Sequence, residues 1–316
     1  MKNFKKIVAL VLMLMMVSAV AYADVPSQQL TIGTASSGGA FYVIGTGIAE
    51  VITQNVDPLY VTAEITGGST ENIRLVGEGD SDIGISNADV VAYALEGAAP
   101  YDKVYELKAI AALHSSVLHI VTLEGRGVET VADLKGKKVA VGPAGGGSVN
   151  GIDFVLRAAG LSLDDIIPSY LSYDDGISQL KDGQVDAALV MAGYPASSIL
   201  SLGATNAVKL VNIDEELMNK VIELAPYFYS ATVPADVYKT DADTTVVGVK
   251  NVLYCTDALS EDTVYEITRA LIENHDDVVS YHSALGSLTV EDFAAVGNVP
   301  LHAGAEKYYT EAGLIK

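Results

Sequence analysis

Five times this sequence runs from an apolar stretch of strand length into a turn of small residues and then into a helix-length segment. "LTIGTA" (Leu30–Ala35), "VTAEIT" (Val61–Thr66), "DIGISN" (Asp82–Asn87), "KKVAVGPA" (Lys137–Ala144) and "DAALVMAG" (Asp186–Gly193) each open such a unit. A repeated strand–turn–helix pattern predicts an α/β protein with mostly parallel sheets. In an open sheet of that kind, ligands bind at the carboxyl ends of the strands. The turns therefore become the candidate sites.

Two extended stretches break the pattern. "AIAALHSSVLHIVTL" (Ala109–Leu123) and "TTVVGVKNVLYCTDAL" (Thr244–Leu259) are each too long for one ordinary strand and carry polar or small residues at their middles. They read as strand pairs that pass from one lobe to another. The chain is expected to leave the first lobe near His114-Ser115-Ser116, build the second, and return near Thr244–Val249. Lobe 1 then comprises residues 24–115 and 246–316, lobe 2 residues 116–245, and the tail from Ser260 packs as helices on lobe 1. No linker rich in Pro, Gly and Ser stands in mid-chain, which argues against two consecutive domains.

The start has export chemistry. Lys2, Lys5 and Lys6 precede an apolar run, Ile7–Val20, and Ala21-Tyr22-Ala23 has the small-x-small form of a cleavage site. Residues 1–23 are expected to be a signal peptide, the mature chain to begin at Asp24, and the protein to work in the periplasm or on the extracytoplasmic face. With those three lysines removed, 16 basic residues face 40 acidic ones. Nucleic acid and anionic membranes need basic patches, so neither is an expected partner. A lone cysteine, Cys255, can form no internal disulfide and reads as a small buried hydrophobe.

The turns divide into two groups. The first half of the chain has Thr34–Gly39, Thr66–Asn72 and Ser86-Asn87; the second has Val141–Gly151. A helix that starts just after such a turn points free N–H groups out of its N-terminus, and these hold anions. "GPAGGGSVNG" fits a dinucleotide fingerprint poorly. Its glycines miss the G-x-G-x-x-G spacing, the acidic pair Asp164-Asp165 precedes a strand-like run instead of ending one, and no phosphate-loop lysine occurs anywhere. Catalytic patterns are equally thin. There is no G-x-S-x-G elbow, no H-E-x-x-H, no cysteine–histidine cluster, and His114 and His119 fall on opposite faces of a strand. No cofactor or metal is expected, and an exported hydrolase ranks below a binding protein. Seventeen tyrosines accompany no tryptophan. Tyr42, just past the first glycine pair, is the one best placed to pack a ligand and hydrogen-bond its carboxylate, with Tyr173 and Tyr194 behind it.

"TIGTASSGGAFYVIGTGIAEVI" resembles the opening signature of the TAXI family, the extracytoplasmic solute receptors of TRAP transporters. Gly38, Gly39, Phe41 and Tyr42 match its Gly-Gly and aromatic-Tyr steps, with Val43 in place of the usual proline. Similar stretches follow at Thr66–Ala94, Gly142–Leu161, Asp182–Ile199 and Val264–Asp277, and the last, Val299–Leu314, is close to the family's C-terminal box. The resemblance implies a type II periplasmic-binding-protein fold, two α/β lobes joined by two crossing strands around a ligand cleft. It implies a small carboxylate ligand of the glutamate, glutamine or 2-oxoglutarate class, a TRAP membrane permease as partner, and no enzymatic activity; the chain is expected to be a monomer. Carried over residue by residue, the binding set is Ser36, Ser37, Gly39 and Tyr42; Ser69 and Asn72; Asn87, where the family often has glutamine; Gly145, Gly146, Gly147 and Ser148; and Tyr173, Gly193 and Tyr194. Helix N-termini after Gly39 and Gly147 would clamp the carboxylate without a basic side chain. A neutral amino acid on the same fold, or a sensor receptor with another membrane partner, remain the alternatives.

Overall fold

A computed structural model describes residues 28–316; the signal-peptide expectation lies outside them. The first three strand–helix units are β1 (Gln28–Gly33) with α1 (Ala40–Asn55), β2 (Leu59–Glu64) with α2 (Ser69–Glu78), and β3 (Ile83–Asn87) with α3 (Ala88–Glu96). After β4 (Lys108–Leu123) come β5 (Lys138–Gly142) with α4 (Gly147–Ala158), β6 (Ile167–Tyr170) with α5 (Tyr173–Lys181), and β7 (Ala187–Ala192) with α6 (Ser197–Gly203). The chain continues through β8 (Val208–Leu210), α7 (Glu215–Leu224), β9 (Tyr229–Val233) and β10 (Thr244–Cys255), then α8 (Glu261–Glu273) and, near the end, α9 (Ala303–Glu311). All five units expected from the sequence form. Local chemistry sets their ends: α2 stops where Gly79 turns left-handed at φ 81° and returns its N–H to Leu75 and Val76.

The strands pair in the order β2-β1-β3-β10-β4-β7-β5-β6, with β8 beside β4 and β9 beside β10. Each wing is parallel: β1 with β2 and β3, and β5 with β6 and β7. Between them β4 and β10 run antiparallel to each other and to β3 and β7. Apolar cores lie on both faces of each wing. In the first, α1, α8 and α9 cover one face around Ile44, Ile267 and Tyr309, while α2 and α3 cover the other around Ile73 and Tyr254. In the second, α4 and α7 bury Ile152 and Val221, and α5 and α6 bury Ile177 and Ile199. Strands covered on both faces need continuous apolar runs, and "ALVMA" in β7 is one.

The two long stretches are single continuous strands, not the strand pairs that their polar middles suggested. The polar residues lie where each strand changes partner. On β4, Ala111 and Ala112 pair with β10, and from Val117 onward the strand also pairs with β7. On β10, Gly248 pairs with Tyr229, and Asn251 pairs with Asn87 of the first wing. The side chains at this crossing satisfy one another, so the strands need not break: Ser116 Oγ donates to Asn251 Oδ1 at 3.2 Å, and Asn251 Nδ2 donates to the His114 carbonyl at 2.8 Å. Cys255 is buried at the end of β10, and burial pushes its thiol up. No helix among the described residues is long and apolar enough to cross a membrane.

Candidate functional site

The two wings meet along a seam built largely from glycine. Gly68, at φ 105°, brings the β2–α2 turn against the Cα of Gly146 in the β5–α4 turn; a Cβ on Gly68 would stand 3.4 Å from that atom. A side chain there is disfavoured by the left-handed conformation. The Gly145 carbonyl accepts from Thr70 N at 2.9 Å and Glu71 N at 3.3 Å, so the opposite lobe caps the N-terminus of α2. Ser37 Oγ donates to Asp174 Oδ2 at 3.0 Å, and Ser198 Oγ donates to the Gly38 carbonyl at 3.2 Å. Asn150 Nδ2 on α4 donates to Asp89 Oδ2 on α3.

At the heart of the seam is a cavity of about 10 Å³, room for about one water. Of the residues named from the sequence, Gly39, Ser69, Asn87, Gly147 and Tyr173 line it, together with Ala35, Phe41 and Met191. Ser69 Oγ donates to Asn87 Oδ1 at 2.9 Å and accepts from Asn87 N at 3.1 Å. Asn87 Nδ2 passes the network on to Asn251 Oδ1 at 2.8 Å. A buried polar chain thus runs from the cavity to the crossing strands. Tyr173 lies with its ring against Gly39 and donates to the Met191 carbonyl at 3.2 Å. Burial raises its phenol, opposed by its bonds to Ser148 and Met191.

The remaining named residues scatter. Ser36 is buried in the β1–α1 turn with its hydroxyl unpartnered. Ser37 is exposed at the seam's edge, and Gly145 and Gly146 form its glycine contact. Ser148 is fully buried and donates to the Val141 carbonyl at 2.8 Å. Asn72 is spent inside its own lobe: Nδ2 reaches the carbonyls of Gly33, Thr34 and Ile85, and Oδ1 accepts from Thr66. It brackets β1 against β3 and leaves no amide free. Tyr42 is half-buried on α1 and does not line the cavity. Gly193 packs beside His114, and Tyr194 lines a separate pocket at the crossing strands. The acidic pair Asp164-Asp165 sits in a short turn before β6, where Asp165 caps Ser162, a placement no ribose-binding acid shares.

Sequence reasoning missed Asn251 and Asp89; Asn150 reads from the sequence as a donor near the helix start, and the structure gives it Asp89 as its acceptor. Asn87 and Asn251 are far apart in sequence, and only strand pairing joins them. Asp89 is fully buried, and burial pushes its carboxyl up to about 6 against bonds from Val90 N–H and Asn150; Oδ1 has no partner. A sequence signal for it existed: Asp89 stands two residues after Asn87 of the turn Ser86-Asn87, at the start of a helix.

The seam's electrostatics come from helix ends. α1 and α4 start after Gly39 and Gly146, have no side-chain cap, and carry no acid in their first turns. Their first N–H groups have no acceptor within the helix. The four arginines are engaged elsewhere, at Tyr101, the Leu180 carbonyl, Asp153 and Glu266. The arrangement presents two positive dipole ends, one from each lobe, to a small water-excluding space. Each contributes about 0.3–1 kcal/mol to an exposed anion and up to about 2 kcal/mol to a partly buried one. Among the described residues no cluster of His, Cys, Asp and Glu could hold a metal.

Comparison with known proteins gives the family and the fold. The model of the NMT1-like family matches residues 32–313. That match overturns the resemblance to the TAXI receptors of TRAP transporters. A curated relative, the putative aliphatic sulfonates-binding protein of Escherichia coli (strain K12), is 39% identical over 84 residues, 27% of this chain and 26% of that protein. The chain thus aligns with about a quarter of that relative's length. Among solved structures, the alkanesulfonate-binding protein SsuA from Xanthomonas axonopodis pv. citri bound to MOPS aligns over 92% of this chain and 95% of its own, at 17% identity and a TM-score of 0.50. A structure describing glutathione import via GshT and the cystine ABC importer TcyBC of Streptococcus mutans aligns over 88% and 99%, at 12% identity and a TM-score of 0.52. At such identities the likeness concerns the fold, which is the type II periplasmic-binding-protein fold: two α/β lobes joined by crossing strands, with a cleft between.

Proposed function

Since the chain belongs to the NMT1-like family, we propose that it is an exported solute-binding protein that captures a small organic anion between its lobes and delivers it to a membrane importer. The lobes are residues 24–115 with 246–316, and residues 116–245. The observation that carries the reading is the convergence of α1 and α4 on the seam with glycine caps, no first-turn acid and no arginine beside them. The head group that suits two uncapped helix ends is a sulfonate or a carboxylate. The sulfonate-binding relatives favour the first. An ABC-type importer fits these neighbours as the membrane partner. We read the chain as a binding protein and not an enzyme.

The closed cavity is far smaller than such an anion, so capture begins from an opened seam. Opening breaks the bonds of Gly145 O, Ser37, Ser198 and Asn150 across it. Closing over the ligand expels water and strengthens the dipole interaction. Ser69 and Asn87 then supply the hydroxyl and amide that select the head group, and Phe41, Tyr173 and Met191 receive its apolar body.

A thermal-shift panel of alkanesulfonates, carboxylates, amino acids and sugars tests this. The true ligand raises the melting temperature by mass action, by about 2.7 kcal/mol of stabilisation at one hundred times its Kd. Stabilisation by sugars or cations, with none by any sulfonate or carboxylate, would sink the proposal.

A further inference from the structure

We propose that a second pocket, of about 410 Å³ at the crossing strands, is a binding site for a small zwitterion, its oxyanion held by Lys250 and its ammonium by Asp292, with the imidazole of His114 as the neutral hydrogen-bonding wall. This site is separate from the seam cavity.

Its size lies within the ~300–1,000 Å³ of small-molecule sites. His114 and Ser115 of β4 and Lys250 of β10 form the floor; Tyr194 and Tyr229 stand on one side, and Ser287 and Asp292 of the C-terminal tail on the other. The His114 ring is fully buried, yet neither of its nitrogens has a partner. Buried polar atoms are nearly always satisfied, and one left unpaired is costly. Burial, and His282 nearby, hold this imidazole neutral, down to about 3, so it offers one donor and one acceptor.

The two charges complete the chemistry. Neither Lys250 nor Asp292 joins an ion pair among the described residues. Asp292 is held in place and ionised by the Thr289 N–H at 2.8 Å and the Thr289 hydroxyl at 3.0 Å, with Lys250 lowering it further. A cation and an anion that line one pocket without pairing leave room for a ligand carrying both complements.

The pocket is wired to the cleft twice. The His114 ring meets Phe41 edge-on at 5.8 Å between centroids, and Phe41 lines the seam cavity. The His114 carbonyl accepts from Asn251, which accepts from Asn87, another cavity residue. The pocket's walls also come from both sides of the crossing, so hinge motion changes its shape. Binding at the two places is therefore linked, and linkage is reciprocal.

Calorimetry with two probes decides. Taurine carries a sulfonate and an ammonium; ethanesulfonate carries the sulfonate alone. Taurine is expected to bind the wild-type chain at a site that Lys250→Met or Asp292→Asn weakens at least tenfold, while ethanesulfonate binding is unchanged by either. In chain labelled at its histidine rings, the His114 resonance is expected to shift with taurine and not with ethanesulfonate. Taurine heat that is absent, or that survives both variants with a silent His114 resonance, would overturn the site. Failure of ethanesulfonate alone would count against the cleft reading and leave this one standing.

Discussion

Two kinds of helix start coexist in this molecule. At the periphery the N-termini are neutralised. Asp214, Ser260 and His302 each accept a backbone N–H from the first turn they precede, and α7 and α8 carry pairs of acids there. At the seam, α1 and α4 have glycine at the same position, no side-chain cap and no acid. Glycine in place of a side-chain cap costs roughly a few tenths of a kcal/mol. In a chain with 40 acidic residues, leaving two facing helix ends bare means that negative charge is excluded where a ligand's own charge will sit. The difference separates helix ends built for stability from helix ends built for binding.

The other helices that start at the seam do carry first-turn acids, Glu71, Asp89 and Asp174, and the buried one, Asp89, gives the largest expected effect. Asp89 lies in the first turn of α3, buried, with its carboxyl raised to about 6 from an ordinary 3.8, and its neighbours are Tyr93, Tyr101, Tyr227 and Asn150. Asp133 and Asp292, in peripheral first turns, are lowered instead, first by their bonds to Thr130 and Thr289. The sign follows from linkage. The closed state binds the Asp89 proton more tightly than an opened state that wets it, so closure gains as pH falls through about 6 and loses as pH rises through it. The swing is roughly 3 kcal/mol between the two values. Lobe separation followed by scattering across pH 4–7 should show the seam opening as pH rises, and Asp89→Asn should flatten the curve. An unchanged profile in that variant would remove Asp89 as the cause.

Converting a seam start into a peripheral one is the next test. Gly39→Asp adds a Cβ at ordinary contact distance, 3.4 Å from the Tyr173 ring, at a φ of −109° that any residue adopts. The new carboxylate caps α1, so the fold gains roughly a few tenths of a kcal/mol or keeps its stability. The same carboxylate occupies the anion's place, and binding of whichever anion the panel identifies should fall by about thirtyfold or more, roughly 2 kcal/mol. Stability preserved with affinity intact would show that α1 does not face the ligand.

Much of this was legible from sequence, for physical reasons that also mark the limit. Strand period, turn chemistry and helix starts are local, so the βα units and the crossing strands could be read off. The turns that build the seam could be read as well, because the left-handed φ of 105° at Gly68 favours glycine. The family could not be assigned from those turns. Gly38, Gly39 and the aromatic pair after them serve the general geometry of a helix end opened to a ligand, and that geometry does not distinguish the TAXI receptors from the NMT1-like family whose model matches. Pairing across long separations was also invisible. Tyr194 looked like a cleft residue because it follows a strand end. But Ala192 pairs with Val117, so the chain beyond it turns toward the crossing strands. Asn72 looked like a ligand donor until the three carbonyls it holds were in view.

The smallest effect is the control that gives the comparison its meaning. Ser260 caps α8 by accepting the Thr263 N–H at 3.1 Å, at an exposed position of the first lobe. Ser260→Ala should cost about 1 kcal/mol of stability, the value of an ordinary cap, with no compensating acceptor for that N–H but water. Anion affinity should stay within about twofold, because a peripheral cap acts on folding and not on the cleft. The pair then forms a double dissociation: a cap added at Gly39 costs binding and spares stability, and a cap removed at Ser260 costs stability and spares binding. If Ser260→Ala weakened the anion as strongly as Gly39→Asp, the two classes of helix start would not be functionally distinct, and the bare ends of α1 and α4 would be accidents of glycine packing.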